Sequence, residues 1–132
     1  MSLTAVHGYI VGFAIIGAWA TVCGWSLALR LARYRETPTF WKAVSVAQVL
    51  LALQLLLGVA LLVLGERPGP AGGAETVAFH LAYGLVFPLV VLVVGHRTAR
   101  AGRYDPHSVF ALVGLVIFGL TARAWMVGVA GA

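Results

Sequence analysis

Apolar residues in this chain follow neither a helical nor a strand period against a polar background. They fall into four long blocks, at about residues 3–29, 41–64, 76–96 and 108–129, separated by short polar segments. A hydrocarbon core about 30 Å thick takes roughly 20 residues of helix to cross. Each block is long enough, and lipid offers an exposed backbone no hydrogen-bond partner, so helix is the form each block must take. The pattern predicts an all-α, integral membrane four-helix bundle with short loops, a single transmembrane domain over residues 1–132.

Punctuation between the blocks agrees. Asp105-Pro106 reads as an N-cap followed by proline at the first helical position. The Pro- and Gly-rich stretch from Gly65 to Gly73 cannot continue a helix. Trp41 and Trp125 fall near block ends, where amphipathic rings favour the membrane interface. Pro88 lies inside the third block and removes an N–H, so a kink is expected there. The first block is too long, and its N-terminal flank too poor in Lys and Arg, for a signal peptide. It is expected to stay as a span.

Charge orients the bundle. Nine Lys and Arg stand against four Asp and Glu in 132 residues. Arg30, Arg33, Arg35 and Lys42 lie between the first two blocks, and Arg97, Arg100 and Arg103 between the last two; the middle loop has only Arg67 beside Glu66 and Glu75. The positive-inside rule then places both termini outside, in a cytoplasmic membrane of bacterial type. The basic balance is a topology signal, and no nucleic-acid partner is expected. With 61% apolar and 10% charged residues, the composition excludes a soluble enzyme. The single Cys23 excludes a disulfide framework or a cysteine-based metal cluster within one chain.

Polar side chains inside the blocks are the candidates for chemistry, because each costs a few kcal/mol in lipid unless paired, ligated or turned inward. They are His7, Gln48, Gln54, His80, Tyr83 and Arg123, with His96 and His107 at the inner ends. The first and third spans run in the same direction, so His7 and His80 reach similar depth below the outer boundary. Two imidazoles at one level can ligate one metal ion or a haem. Arg123, with no carboxylate inside any span, would then pair with propionates. Small residues beside His7 and His80, Gly8, Gly12 and Gly84 among them, would let a flat ring approach. Simpler readings stand beside this one. Gly8 and Gly12 form a GxxxG helix-packing pair, Arg123 snorkels to the headgroups, and the glutamines bond a neighbouring helix.

The positions His7-Gly8-Tyr9, His80-Leu81-Ala82-Tyr83-Gly84 and Thr121-Ala122-Arg123-Ala124-Trp125, set in four spans, resemble the four-helix membrane b-type cytochromes. That family includes the cytochrome subunits of formate dehydrogenases and hydrogenases and, more distantly, each half of haem A synthase. The resemblance implies haem b held by His7 and His80 near the outer face, with Arg123, Tyr83, Gln54 and Gly84 around it. A second haem would lie between His96 and His107. Two features depart from the family: sixteen residues separate His80 from His96, more than its usual spacing, and His107 precedes its span. The implied function is electron transfer, with a quinone or a respiratory complex as partner. Two other functions fit the same residues. One is a non-catalytic subunit or assembly factor of a larger membrane complex, alone or as an oligomer. The other is a small proton or anion transporter or channel. An enzyme is least supported, since no nucleophile set, zinc motif or carboxylate pair appears.

Overall fold

A computed structural model describes residues 1–131. Four helices are long and apolar enough to cross a membrane: α1 (Leu3–Leu31), α2 (Pro38–Val63), α3 (Ala74–Arg100) and α4 (Pro106–Ala130). The chain is a multi-pass, all-α membrane protein with no strand among the described residues. The start of α1, the end of α4 and the 64–73 loop lie at one end of the bundle, called here the terminal end. The two arginine-rich loops lie at the other, the basic end.

Helix boundaries follow local chemistry. Thr37 caps α2 through its side chain, which accepts from the Phe40 N–H, and Pro38 occupies the first turn, so α2 begins three residues earlier than the apolar block suggests. Asp105 caps α4 by accepting from the N–H groups of His107 and Ser108. The third helix continues past His96 to Arg100. Arg97 and Arg100 in its last turn suit the negative end of the helix dipole.

Two helices contain π-helical turns, over Val6–Val11 in α1 and Ala82–Val86 in α3. The second turn lies just before Pro88, and the Phe87 N–H bonds the Ala82 carbonyl five residues back. Widening the helix here is how the missing Pro88 N–H is accommodated. Single π turns of this kind recur at functional sites.

The helices are not equally packed. α1 lies most extensively against α4, α4 also carries α3, and α1 carries α2. Gly114 of α4 makes the α1 contact close: a Cβ there would stand 2.7 Å from the Cys23 nitrogen and 3.0 Å from the Trp19 carbonyl oxygen. Gly95 lets α3 reach α4 in the same way, against Val113. Around these contacts Trp19, Phe40, Phe110 and Ile117 form a core with at most 2% of their surface exposed. Gly8, read from its GxxxG spacing as a packing residue, has nothing within 4 Å of its would-be Cβ. The tight seam is therefore built by Gly114, in the basic half, and the terminal half is left open inside.

Candidate cofactor-binding cavity

A cavity of about 360 Å³ opens in the terminal half, bordered by all four helices. That is within the range of roughly 300–1,000 Å³ usual for small-molecule and cofactor sites. His7 enters it from α1 and His80 from α3, with ring centroids 6.2 Å apart and planes inclined by 58°. The two histidines thus face each other although the backbones of α1 and α3 are not closely packed.

Each imidazole is set by the helix next to its own. His80 Nδ1 lies 2.9 Å from the Ala124 carbonyl of α4. A carbonyl only accepts, so Nδ1 carries the proton and Nε2 keeps its lone pair. One turn further along α4, Gly128 lies against the same ring; a Cβ there would stand 3.0 Å from His80 Cε1. The arrangement repeats at His7. Gln54 Nε2 of α2 donates to the His7 carbonyl at 3.0 Å. Gly58, one turn on, faces the His7 ring, and a Cβ there would stand 3.2 Å from Cε1. The π turn contributes as well: the Gly12 N–H reaches back to the His7 carbonyl that Gln54 also binds. Both rings therefore rest on glycines, and a methyl group at either position would oblige the imidazole against it to shift.

Three buried polar atoms among the cavity-lining residues have no hydrogen-bond partner: His7 Nδ1, Gln54 Oε1 and Trp125 Nε1. An unsatisfied buried group costs about 1–3 kcal/mol; four more such atoms, Trp19 Nε1, Ser26 Oγ and both ring nitrogens of His107, lie in the packed half, so it is the open space beside the three that sets the cavity apart. No group of three or more His, Cys, Asp or Glu able to hold a metal ion exists among the described residues. Zinc sites draw three or four ligands from the protein. A haem, which brings four nitrogens of its own, needs only two. With about 2 Å for a metal–imidazole bond, two imidazoles in line on one iron have ring centres roughly 6 Å apart. The ring centroids of His7 and His80 are 6.2 Å apart, near that separation.

Other expected site residues divide. Gln54 and Gly84 line the cavity, Gly84 where α3 approaches Ala124 of α4. Tyr83 does not line it; its ring stacks on Phe79 and meets Phe87 edge-on, in an aromatic ladder along α3. Arg123 is also absent from the lining and is exposed on the outward face of α4, where a long side chain can reach the headgroups. The cation at the cavity mouth is Arg67 of the 64–73 loop, beside Glu66 and Pro68. Gly58, Gly128 and Arg67 were not singled out from the sequence. The first two lie in apolar runs with no polar marker, although Gly58 follows Gln54 by one helical turn.

His96 and His107 have different surroundings at the basic end. His96 Nε2 contacts the Gln48 side-chain amide, and its ring stacks on Trp41. His107 is 1% exposed, with Phe40 packed edge-on against it and Asp105 3.7 Å from Nδ1. Phe110 touches both His96 and Phe40, and no ring contact joins His96 to His107 among the described residues. Among the described residues the two imidazoles expected to share an inner site each have aromatic neighbours of their own, Trp41 and Phe110 at His96 and Phe40 at His107, and a pocket lined by Glu36, Trp41 and Arg100 lies beside His96.

No known family, characterised protein or solved structure matches this chain.

Proposed function

We propose that this protein is a small b-type haem protein of the cytoplasmic membrane, with His7 and His80 as the two axial ligands and electron transfer as its task. The observation that carries the reading is the pair of imidazoles 6.2 Å apart across a cavity bordered by four helices. A haem held there by His7 and His80 would supply a one-electron carrier.

The chain's own residues would each have a defined task. Ala124, by accepting from His80 Nδ1, holds that imidazole in the tautomer whose Nε2 can ligate. Gln54 fixes the backbone that carries His7. Gly58 and Gly128 leave the two rings their positions. Leu51, Leu55, Leu81 and Leu85 give the cavity apolar walls, which keep water from the iron and suit a macrocycle. The basic-end loops favour the orientation with the cavity toward the outer face, so electrons would be exchanged on that side with a quinone or a membrane complex. One haem per chain is the expected stoichiometry, since His7 and His80 are the histidine pair whose rings face each other among the described residues.

A reduced-minus-oxidised absorption spectrum of the detergent-purified protein, produced with ample haem, tests the reading. The expected result is the sharp visible band of six-coordinate haem b, at one haem per chain, lost in His7→Ala and in His80→Ala. A colourless protein from haem-sufficient cells that also fails to take up added haem would overturn it. Ion or proton flux through liposomes would then be the next measurement.

A further inference from the structure

The 64–73 loop is too well anchored to be a passive connection. Its Gly69 N–H donates to the Gly128 carbonyl at 2.8 Å, which ties the loop to the residue that backs His80. Gly69 has φ +78, and a Cβ there would stand 2.7 Å from Thr76 Cγ2 and 3.3 Å from Gly131 Cα. Only glycine fits both that backbone conformation and that space. Gly72, with φ +57, lies against the stem of Arg67; its would-be Cβ is 3.0 Å from Arg67 Cβ. Through Nη1 the guanidinium reaches the carbonyls of Glu66 at 3.3 Å and Leu62 at 3.5 Å. The loop thus carries one cation to the mouth of the cavity and anchors it there.

That cation lacks a countercharge. A guanidinium has five N–H donors in a fork that matches a carboxylate, and Arg67 uses one nitrogen on two main-chain oxygens. Among the described residues no carboxylate lies within ion-pair distance of it; the Glu66 contact is to the backbone carbonyl. The terminal end has no other arginine at the cavity, since Arg123 faces outward.

We propose that residues 64–73 form a strap that holds Arg67 over the cavity mouth, and that Arg67 binds a carboxylate on the edge of the ligand that His7 and His80 hold. This assignment rests on the haem reading and goes beyond it: the site selects a planar ligand that carries an acid group at its outer edge. Glu66 at the same mouth repels such a group, which sharpens the demand on Arg67.

The test is a titration of the purified full-length protein with two probes, iron protoporphyrin and its dimethyl ester, in which the carboxylates are masked. Visible spectra report binding and ligation. Wild type should bind the free acid at least tenfold more tightly than the ester, because a charge-assisted bidentate pair is lost. Arg67→Gln should weaken the free acid by a similar factor and leave the ester unchanged. Gly69→Val, which displaces the strap without touching the charge, should reproduce the loss, and Arg123→Gln should alter neither probe. Equal binding of acid and ester by wild type, or an Arg67→Gln protein that binds the acid as wild type does, would overturn the assignment while leaving the histidine site intact. Failure of wild type to bind either probe would remove the haem reading and the strap's role together.

Discussion

Each end of the bundle carries two histidines, and the two pairs are treated in opposite ways. At the terminal end His7 and His80 face each other across open space, each ring resting on a glycine. At the basic end His96 is satisfied by Gln48 and Trp41, and His107 is sealed behind Phe40. The difference comes from what lies against the rings. Gly58, Gly84 and Gly128 remove side-chain volume from one end; Phe40, Trp41 and Phe110 add it to the other. A histidine in a membrane helix is therefore informative only together with the volume of its neighbours.

Ligand removal should break this comparison most sharply. His7→Ala and His80→Ala should each abolish six-coordinate haem in the reduced spectrum, whereas His96→Ala and His107→Ala should retain one haem per chain. Retention of the band in either terminal-end variant, or its loss in both basic-end variants, would reverse the assignment of the two ends.

Stability should respond in the opposite sense. Gly114→Val puts a branched side chain where a Cβ already meets the Cys23 backbone at 2.7 Å. Neither backbone can yield without parting α1 from α4. Overpacking of this kind costs about 1–3 kcal/mol and more where backbone must move, and thermal unfolding in detergent would measure it. Gly8→Val, at a position with no neighbour within 4 Å, should leave the unfolding temperature within error.

Smaller effects separate the cavity from its walls. Gly128→Ala adds a methyl 3.0 Å from His80 Cε1, and haem affinity should fall by about tenfold, equal to roughly 1.4 kcal/mol, with little change in helix content by circular dichroism. Gln48→Leu removes the His96 partner in a membrane setting where such bonds average about 0.6 kcal/mol. It should lower thermal stability slightly and leave the haem spectrum as it is. A spectral change in Gln48→Leu would show that the basic end communicates with the cavity.

Much of this protein is dictated by one-dimensional information. Four apolar blocks fix four spanning helices, because lipid gives the backbone no alternative. The Asp105-Pro106 pair fixes where α4 begins, whereas Thr37 and Pro38 start α2 three residues before its apolar block. The parity of the spans puts His7 and His80 at one depth and His96 and His107 at the other end. Gln54 and Gly84 could be named as cavity residues on polarity and size alone.

Tertiary structure decided the rest, since rotation about a helix axis and the choice of neighbours are not written in hydropathy. When every face of a helix is apolar, as in α2 and α4, no polar stripe tells which side turns inward. Arg123 therefore turned out to face lipid, and Tyr83 an aromatic ladder, although their depths suited the site. The same freedom hid Gly58 and Gly128, which matter only because histidines from other helices lie against them. Arg67 became the mouth's cation through a loop fold set by Gly69 and Gly72, a matter of backbone conformation and not of residue type. The sequence by itself determined the number of helices, their direction and the depth of each polar group. Only packing decided which groups meet, because contact depends on helix rotation and on the volume that glycine leaves and aromatic rings take.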